Sequence, residues 1–155
     1  ALHEPQILFL DEPTTGLDPQ ARHLIWERLR QLMQEGKTLL LTTHFMEEAE
    51  RLCTRLLIMD AGRVITLGSP RELIAAHIEP EVVEVHGPGC DAWAGKRTEG
   101  LASRVERVGE TVFCYTQRAE PLLESLAEYP RLAYLHRRAN LEDVFLKLTG
   151  RDLRD

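Results

Sequence analysis

A short apolar run near the start of the chain, Ile7 to Leu10, is followed by two adjacent carboxylates and a proline. Four consecutive apolar residues are typical of a strand that is buried on both faces in a parallel sheet. Pro13 ends the strand, because proline has no N–H to donate to the ladder. Asp11 and Glu12 are therefore expected at the carboxyl end of a buried strand, where open α/β sheets bind their ligands. A pair of solvated turn carboxylates is the alternative interpretation.

The next segments alternate between helix and strand. Asp18 is a typical N-cap, apolar positions recur at helical spacing over residues 19–35, and Gly36 fits a left-handed C-cap. Residues 38–43 form a second short apolar run, which predicts another strand. Strand, helix and strand form a β-α-β unit with parallel strands. We therefore expect His44, which follows the second strand, at the same sheet edge as the two carboxylates.

Further elements follow, and Glu79–Pro80 interrupts their pattern, so we predict one domain over residues 1–78 and a second over 79–155. In the first domain the remaining predicted elements are a helix at 45–53, strands at 55–60 and 63–67, and a capped helix at 70–77. In the second they are strands at 81–86, 104–108, 111–115 and 132–136, helices at 121–128 and 141–148, and an ambiguous stretch at 91–100. The order β-α-β-β-α-β predicts a small α+β domain of the ferredoxin-like type.

Composition and charge restrict the class of protein. The 155 residues are 43% hydrophobic and 28% charged, as in a folded globular chain. A net charge of -6 argues against non-specific binding to phosphate backbones, so no nucleic-acid partner is expected. Three widely spaced cysteines favour a reducing, cytosolic compartment. No apolar run approaches the ~18 residues of a membrane span. The Arg137–Arg138 pair is expected to be solvated.

Three motifs occur in order: ILFLDEP at residues 7–13, TTGLDP at 14–19 and TTH at 42–44. Together they resemble the Walker B strand, the D-loop and the H-loop of the ATP-binding subunits of ABC transporters. The segments DAGRVITLGSPREL and LEDVFLKLTG resemble that family's continuation, nearest to the nodulation lipo-oligosaccharide and daunorubicin-resistance exporters. The resemblance covers nearly the whole chain but only about the second half of a complete subunit. It implies an α/β fold with part of a P-loop NTPase-type parallel sheet.

The resemblance also implies a role for each of four residues. Asp11 would hold Mg²⁺ through water, since this ion keeps much of its hydration. Glu12 would orient or deprotonate the attacking water, and His44 would hydrogen-bond the γ-phosphate of ATP. Asp18 would act at the interface between two ATP-binding subunits. The residues allow simpler interpretations, because Asp18 is fully explained as a helix cap and a histidine after a strand is more often structural.

Other motifs of the family do not occur in the 155 residues. They contain no GxxxxGK[ST] phosphate loop, no LSGGQ-like signature and no Q-loop glutamine. The sequence also starts without Met, directly before a core strand, so we expect a fragment of an exporter ATPase that does not hydrolyse ATP alone. In the complete subunit the implied cofactors are ATP and Mg²⁺. The implied partners are a membrane-spanning subunit and a second ATP-binding subunit, at the cytoplasmic side of the inner membrane.

Two further expectations concern the fragment itself. Without the first half of the sheet, a strand edge and apolar faces would be exposed, which predicts a homodimer or a swapped oligomer. Alternatively, residues 79–155 form a regulatory or dimerisation module, and the truncated ATPase part is only its base. A helicase with a DExx strand is a third possibility, which the acidic net charge and the GLDP segment disfavour.

Overall fold

The computed structural model describes residues 5–150 and has a mixed α/β architecture. The first four and the last five residues of the chain, at the ends of the two predicted domains, lie outside the described part. The chain forms two compact units, residues 1–56 and 57–155. Within the described part, no helix combines the length and the apolar character needed to cross a bilayer.

The first unit is built on two parallel strands joined by a helix. Its elements are β1 (Ile7–Asp11), α1 (Pro19–Gln34), β2 (Thr38–Thr42) and α2 (Met46–Leu52). The register pairs Ile7 with Thr38 at one end and Asp11 with Thr42 at the other. The predicted β-α-β arrangement is therefore confirmed, and the segments that follow both strands start from the same edge of the sheet.

The long helix α1 forms where the sequence predicts it. Asp18 has an extended backbone, and its carboxylate accepts a hydrogen bond from the N–H of Ala21 at 3.0 Å. The apolar side of α1 buries Trp26 and Leu29 beside Leu52 of α2. Partly buried leucines from both strands and from α1 pack around this cluster: Leu10, Leu32, Leu39 and Leu41. One side of the strand pair is therefore covered by helix.

The prediction that β1 is buried on both faces is wrong. Exposed and half-buried residues alternate along β1 and β2, and Ile7 and Phe9 are 55% and 75% exposed. The reason is that α1 packs against one face of the pair, whereas Ile7, Phe9 and Leu40 lie on the other. Within residues 5–56 no element covers that second face. The apolar run thus predicted the strand correctly, but only one of the strand's two faces is covered within these residues.

The second unit begins with a hairpin and a capped helix. These elements are β3 (Leu56–Asp60), β4 (Arg63–Gly68) and α3 (Pro70–His77). Ala61 and Gly62 between the strands both have positive φ, as the commonest tight hairpin turn requires. Ser69 accepts from the N–H of Glu72, and the Glu72 carboxylate accepts from the N–H of Ser69. The predicted capping box is therefore confirmed.

A four-stranded antiparallel sheet forms the rest of this unit. Its elements are β5 (Glu81–His86), α4 (Cys90–Arg97), β6 (Arg104–Val108), β7 (Thr111–Thr116), α5 (Glu120–Leu126), β8 (Ala133–Arg138) and α6 (Leu141–Thr149). The strand order is β6-β7-β5-β8, and every neighbouring pair is antiparallel. Trp93 of α4 and Leu122 of α5 are fully buried in one core with Val83, Val85 and Cys114 of the sheet. The ambiguous stretch at 91–100 thus belongs mostly to a helix.

Arg137 is largely buried, so the prediction of a solvated Arg137–Arg138 pair is wrong for its first member. Its Nε donates to Glu84 at 2.6 Å, and its two terminal nitrogens donate to Asp143 at 2.7 and 2.9 Å. Burial lowers the pKa of Arg137, but these hydrogen bonds outweigh burial and raise that pKa above its usual range. Asp143 also completes the N-terminal cap of α6 with Asn140. This ion cluster therefore joins α6 to the sheet.

Candidate functional site

The carboxyl end of β1 carries two carboxylates in different environments. Asp11 is exposed and accepts a hydrogen bond from the hydroxyl of Thr42, its register partner on β2. Glu12 leaves the strand with a φ of +49°, a left-handed conformation that is uncommon outside glycine. The N–H of Glu12 donates to the carbonyl of Thr42 at 2.9 Å. This bond holds the turn against the end of β2.

Glu12 and His44 are in direct contact. Nδ1 of His44 lies 2.7 Å from Oε2 of Glu12, and the hydroxyl of Thr15 donates to the same oxygen at 3.0 Å. When Glu12 is ionised its oxygens can only accept, so Nδ1 of His44 is then the donor in this bond. The side chains of Glu12 and His44 are 37% and 56% exposed, so solvent reaches both. The expectation that the strand ends bring these residues to one edge is confirmed.

An aromatic ring contacts the histidine, and a guanidinium contacts that ring. The ring of Phe45 lies 4.3 Å from the His44 ring, centroid to centroid, with a tilt of 34°. The guanidinium of Arg22, on the first turn of α1, lies 4.5 Å from the centre of the Phe45 ring. This geometry is that of a cation–π interaction. The imidazole therefore has two contacts, one with Glu12 through Nδ1 and one with the Phe45 ring, which in turn contacts Arg22 of α1.

Asp18 occupies a different position from the other three predicted residues. Its carboxylate is exposed and accepts from the N–H of Ala21, so the helix-cap interpretation of this residue is confirmed. Among the described residues it forms no hydrogen bond with Asp11, Glu12 or His44. Within residues 5–150, the structure assigns Asp18 the capping role alone.

One residue near the site was missed by sequence reasoning. Glu48 of α2 is fully buried and accepts from the hydroxyl of Thr14 at 2.7 Å and from the indole N–H of Trp26 at 2.9 Å. A signal was present, because Glu48 lies four residues before the apolar Leu52 and so on the same side of the helix. The three residues join α2, α1 and the loop between β1 and α1.

The donor set at the strand ends fits a hydrated hard cation. Asp11 offers exposed carboxylate oxygens, the ligand type that Mg²⁺ prefers, and this ion usually takes one or two protein carboxylates with waters and phosphates. Within residues 5–150, no group of three or more His, Cys, Asp and Glu side chains is arranged to hold a metal ion. Asp11 thus fits an Mg²⁺ ion that keeps most of its waters, and residues 5–150 form no complete metal cage.

Two known families match parts of the sequence. The family described as "Nodulation factor export protein NodI, C-terminal domain" matches residues 91–150. A second family, described as "AAA domain, putative AbiEii toxin, Type IV TA system", matches residues 1–48. The two matched segments fall in the two halves of the chain, on either side of the predicted domain boundary.

Curated relatives match over nearly the whole chain. Nod factor export ATP-binding protein I of Cupriavidus pinatubonensis is 59% identical over 154 residues, which cover 99% of this chain and 47% of that protein. The protein of the same name from Ralstonia nicotianae is 57% identical and is covered to 50%. The chain thus spans about half the length of the curated relatives it matches. Its predicted resemblance to the C-terminal portion of an ABC exporter ATP-binding subunit is confirmed.

A solved structure also matches part of the chain. It is cbiO1 of Clostridium perfringens, described as part of the ABC transporter complex cbiONQ, and it is 38% identical. The match covers 46% of this chain and 29% of that one, with a TM-score of 0.42.

Proposed function

We propose that the chain, which corresponds to the C-terminal region of an ABC transporter ATP-binding subunit, supplies the water-activating part of an ATP hydrolysis site. In the complete subunit, hydrolysis would drive export through a membrane-spanning partner. The relatives are named for the export of Nod factor, and we extend export as a function to this protein. ATP is the substrate, and Mg²⁺ supplies charge neutralisation at the phosphates when it is bound.

The observation that carries this proposal is the 2.7 Å contact between Glu12 and His44 at the ends of two parallel strands. A carboxylate oriented by an imidazole and a hydroxyl can position a water molecule and accept its proton. Phosphoryl transfer depends mostly on such positioning and on charge stabilisation. Glu12 is therefore proposed as the base and His44 as the residue that holds it and contacts the γ-phosphate.

The other two predicted residues have supporting roles in this proposal. Asp11 would hold Mg²⁺ through water, which its exposure at the strand end supports. Asp18 would contact the second ATP-binding subunit, which its exposed position in the loop before α1 supports. The helix-capping bond uses one carboxylate oxygen, Oδ1.

The domain assignment is part of the proposal. Residues 1–78 would complete a P-loop NTPase-type sheet with the preceding half of the subunit, and the parallel β1–β2 pair supports this. Residues 79–155 would form a ferredoxin-like domain, for which the order β6-β7-β5-β8 with antiparallel neighbours is the support. The complete protein would lie in the cytoplasm, peripheral to the inner membrane, with a membrane-spanning subunit and a second ATP-binding subunit as partners.

Two measurements test the proposed function. The 155-residue chain with ATP and Mg²⁺ should release no phosphate above background, because it contains no phosphate loop. In the complete subunit, Glu12→Gln should lower hydrolysis by about 10²–10⁴-fold while nucleotide binding is kept. Unchanged hydrolysis in that variant would show that Glu12 is not the base. Turnover by the 155-residue chain would contradict the inactivity of the fragment.

A regulatory or dimerisation module is the second candidate, favoured by the separate family match at residues 91–150. It predicts that residues 79–155 unfold cooperatively when they are expressed alone. Because the compact unit begins at residue 57, a chain of residues 57–155 is the matched control. A molten 79–155 beside a cooperative 57–155 would reject an autonomous module that starts at residue 79.

A further inference from the structure

Glu48 is a buried carboxylate with incomplete hydrogen bonding. Its Oε1 accepts from Thr14 at 2.7 Å and from Trp26 at 2.9 Å. Its Oε2 is buried and has no hydrogen-bond partner within the described part of the chain. Burial of an incompletely hydrogen-bonded carboxyl group is unfavourable. A carboxylate at this position therefore suggests a role in holding one particular geometry.

Thr14 is the anchor of the loop that follows Glu12. It is fully buried, whereas the loop residues after it are exposed. The carbonyl of Thr14 accepts from the N–H of Leu17, and the carbonyl of Glu12 accepts from the N–H of Thr15, both at 3.2 Å. These two overlapping turns make the loop a short hydrogen-bonded unit. A bond that fixes Thr14 therefore also restricts Glu12, two residues earlier, and Thr15, which itself contacts the Glu12 carboxylate.

Glu48 connects this loop to the segment that carries the histidine. It lies four residues after His44, on α2, whereas Thr14 lies two residues after Glu12. We propose that Glu48 is a positioning residue, which joins the two segments and so keeps Glu12 and His44 in contact. The inference rests on the proposed roles of those two residues. Among the described residues, Glu48 forms its hydrogen bonds with Thr14 and Trp26 and with neither of the two site residues, so it is assigned no part in proton transfer.

Ring ¹⁵N chemical shifts of His44, measured by NMR in the 155-residue chain, test the connection directly. The signal is identified by its absence in His44→Ala, and Glu12→Ala gives the shift of an imidazole without its carboxylate. Thr14→Val removes the hydroxyl at almost constant volume, and Glu48→Leu removes the acceptor. Both should move the His44 shifts towards those of Glu12→Ala.

Trp26→Phe is the matched control, since it removes the second donor to Glu48 but not the link to the loop, and it should leave the His44 shifts in place.

Either of two results would overturn the proposed positioning role of Glu48. Wild-type His44 shifts in a folded Thr14→Val chain would overturn it, and this variant still decides the question if Glu48→Leu does not fold. An equal change in Trp26→Phe would show that the shifts follow general core packing, which would also overturn it.

Activity of the complete subunit separates this proposal from the proposed function. Glu48→Leu and Thr14→Val should lower kcat about 10-fold at unchanged KM, because small misplacements of a reacting group reduce rate without weakening substrate binding. Glu48→Gln keeps an acceptor oxygen and should restore most of the rate. If Glu12→Gln abolishes hydrolysis while Glu48→Leu and Thr14→Val keep the wild-type kcat, only the positioning role fails. If Glu12→Gln leaves hydrolysis unchanged, the proposed function fails, and the NMR result alone decides whether Glu48 holds the loop.

Discussion

At the scale of single residues, one oxygen organises the candidate site. Oε2 of Glu12 accepts from Thr15 and contacts Nδ1 of His44, so Nδ1–H is already used. A hydrogen bond from His44 to a phosphate must then come from Nε2, which requires a proton on that nitrogen as well. The imidazolium is therefore the form of His44 that can contact its carboxylate and a phosphate at the same time.

We expect His44→Gln to impair the complete subunit, because one amide group cannot replace two ring donors on opposite sides. Hydrolysis should fall by about 10²-fold, the usual loss when one hydrogen-bond donor to the transition-state charge is removed, with nucleotide affinity retained. Phosphate release and equilibrium ATP binding measure the two effects. His23→Gln is the control, since His23 is an exposed imidazole on α1. Hydrolysis in His44→Gln as fast as in the His23→Gln control would show that His44 has no role in the reaction.

Arg137→Ala should destabilise the second unit strongly. It leaves the carboxylate of Asp143, whose side chain is only 1% exposed, without its ion-pair partner. Breaking such a pair costs about 3–5 kcal/mol in the free energy of unfolding. Urea denaturation measures the loss, and the neighbouring, exposed Arg138→Ala should change stability by less than about 0.5 kcal/mol. Similar values for both variants would mean that the ion cluster contributes little.

At the scale of elements, features encoded by neighbouring residues were easier to predict than contacts between side chains far apart in sequence. The N-cap at Asp18 and the capping box at Ser69 are short-range patterns, and both form as expected. Glu48 and Arg137 were not predicted to be buried, because their partners include Thr14 and Glu84, which lie 34 and 53 residues away in sequence. The contact of Glu12 with His44 was predictable only because a β-α-β unit brings the ends of its strands together.

Asp18 variants separate its capping role from its proposed interface role. Asp18→Ala should lower the free energy of unfolding by about 1 kcal/mol, whereas Asp18→Asn keeps a capping oxygen and should retain most of the stability. Thermal unfolding of the 155-residue chain measures both. If the charge also acts between subunits, Asp18→Asn should still reduce hydrolysis in the complete protein. Full activity of Asp18→Asn would leave only the capping role.

Strand β7 should make stability depend on pH in alkaline solution. Burial, and then the neighbouring Cys90, raise the pKa of Cys114 to about 12. Burial, and then Asp143, raise the pKa of Tyr115 to about 12. The folded state therefore keeps these protons at a pH at which the unfolded chain releases them, with ordinary pKa values of 9.0 and 10.0. Stability that is complete below about pH 9 should be lost as pH rises towards 12.

Urea denaturation at pH 8 and at pH 10.5 measures this loss. Tyr115→Phe keeps the ring and removes the titrating hydroxyl, so it should make the dependence on pH shallower. Tyr134→Phe, which changes an exposed tyrosine of β8, should keep the wild-type dependence. An unchanged slope in Tyr115→Phe would contradict the prediction.

At the scale of the whole molecule, the uncovered face of the β1–β2 pair should govern association. Ile7, Phe9 and Leu40 are all more than half exposed there, and contiguous apolar surface of this kind recruits other chains. We expect the 155-residue chain to form a dimer or larger species by light scattering, and Phe9→Lys to shift it towards the monomer. Leu135→Lys changes an exposed leucine of the second unit and should not. A wild-type monomer at all concentrations would contradict this prediction.

The direct pairing of β1 with β2 also limits how related proteins can diverge. Neighbouring strands lie about 4.8 Å apart, so an extra strand inserted between these two would roughly double their separation. The 2.7 Å contact between Glu12 and His44 could not survive that change. Related proteins that keep the contact between Glu12 and His44 can therefore add strands at the outer edges of the sheet but cannot insert one between β1 and β2.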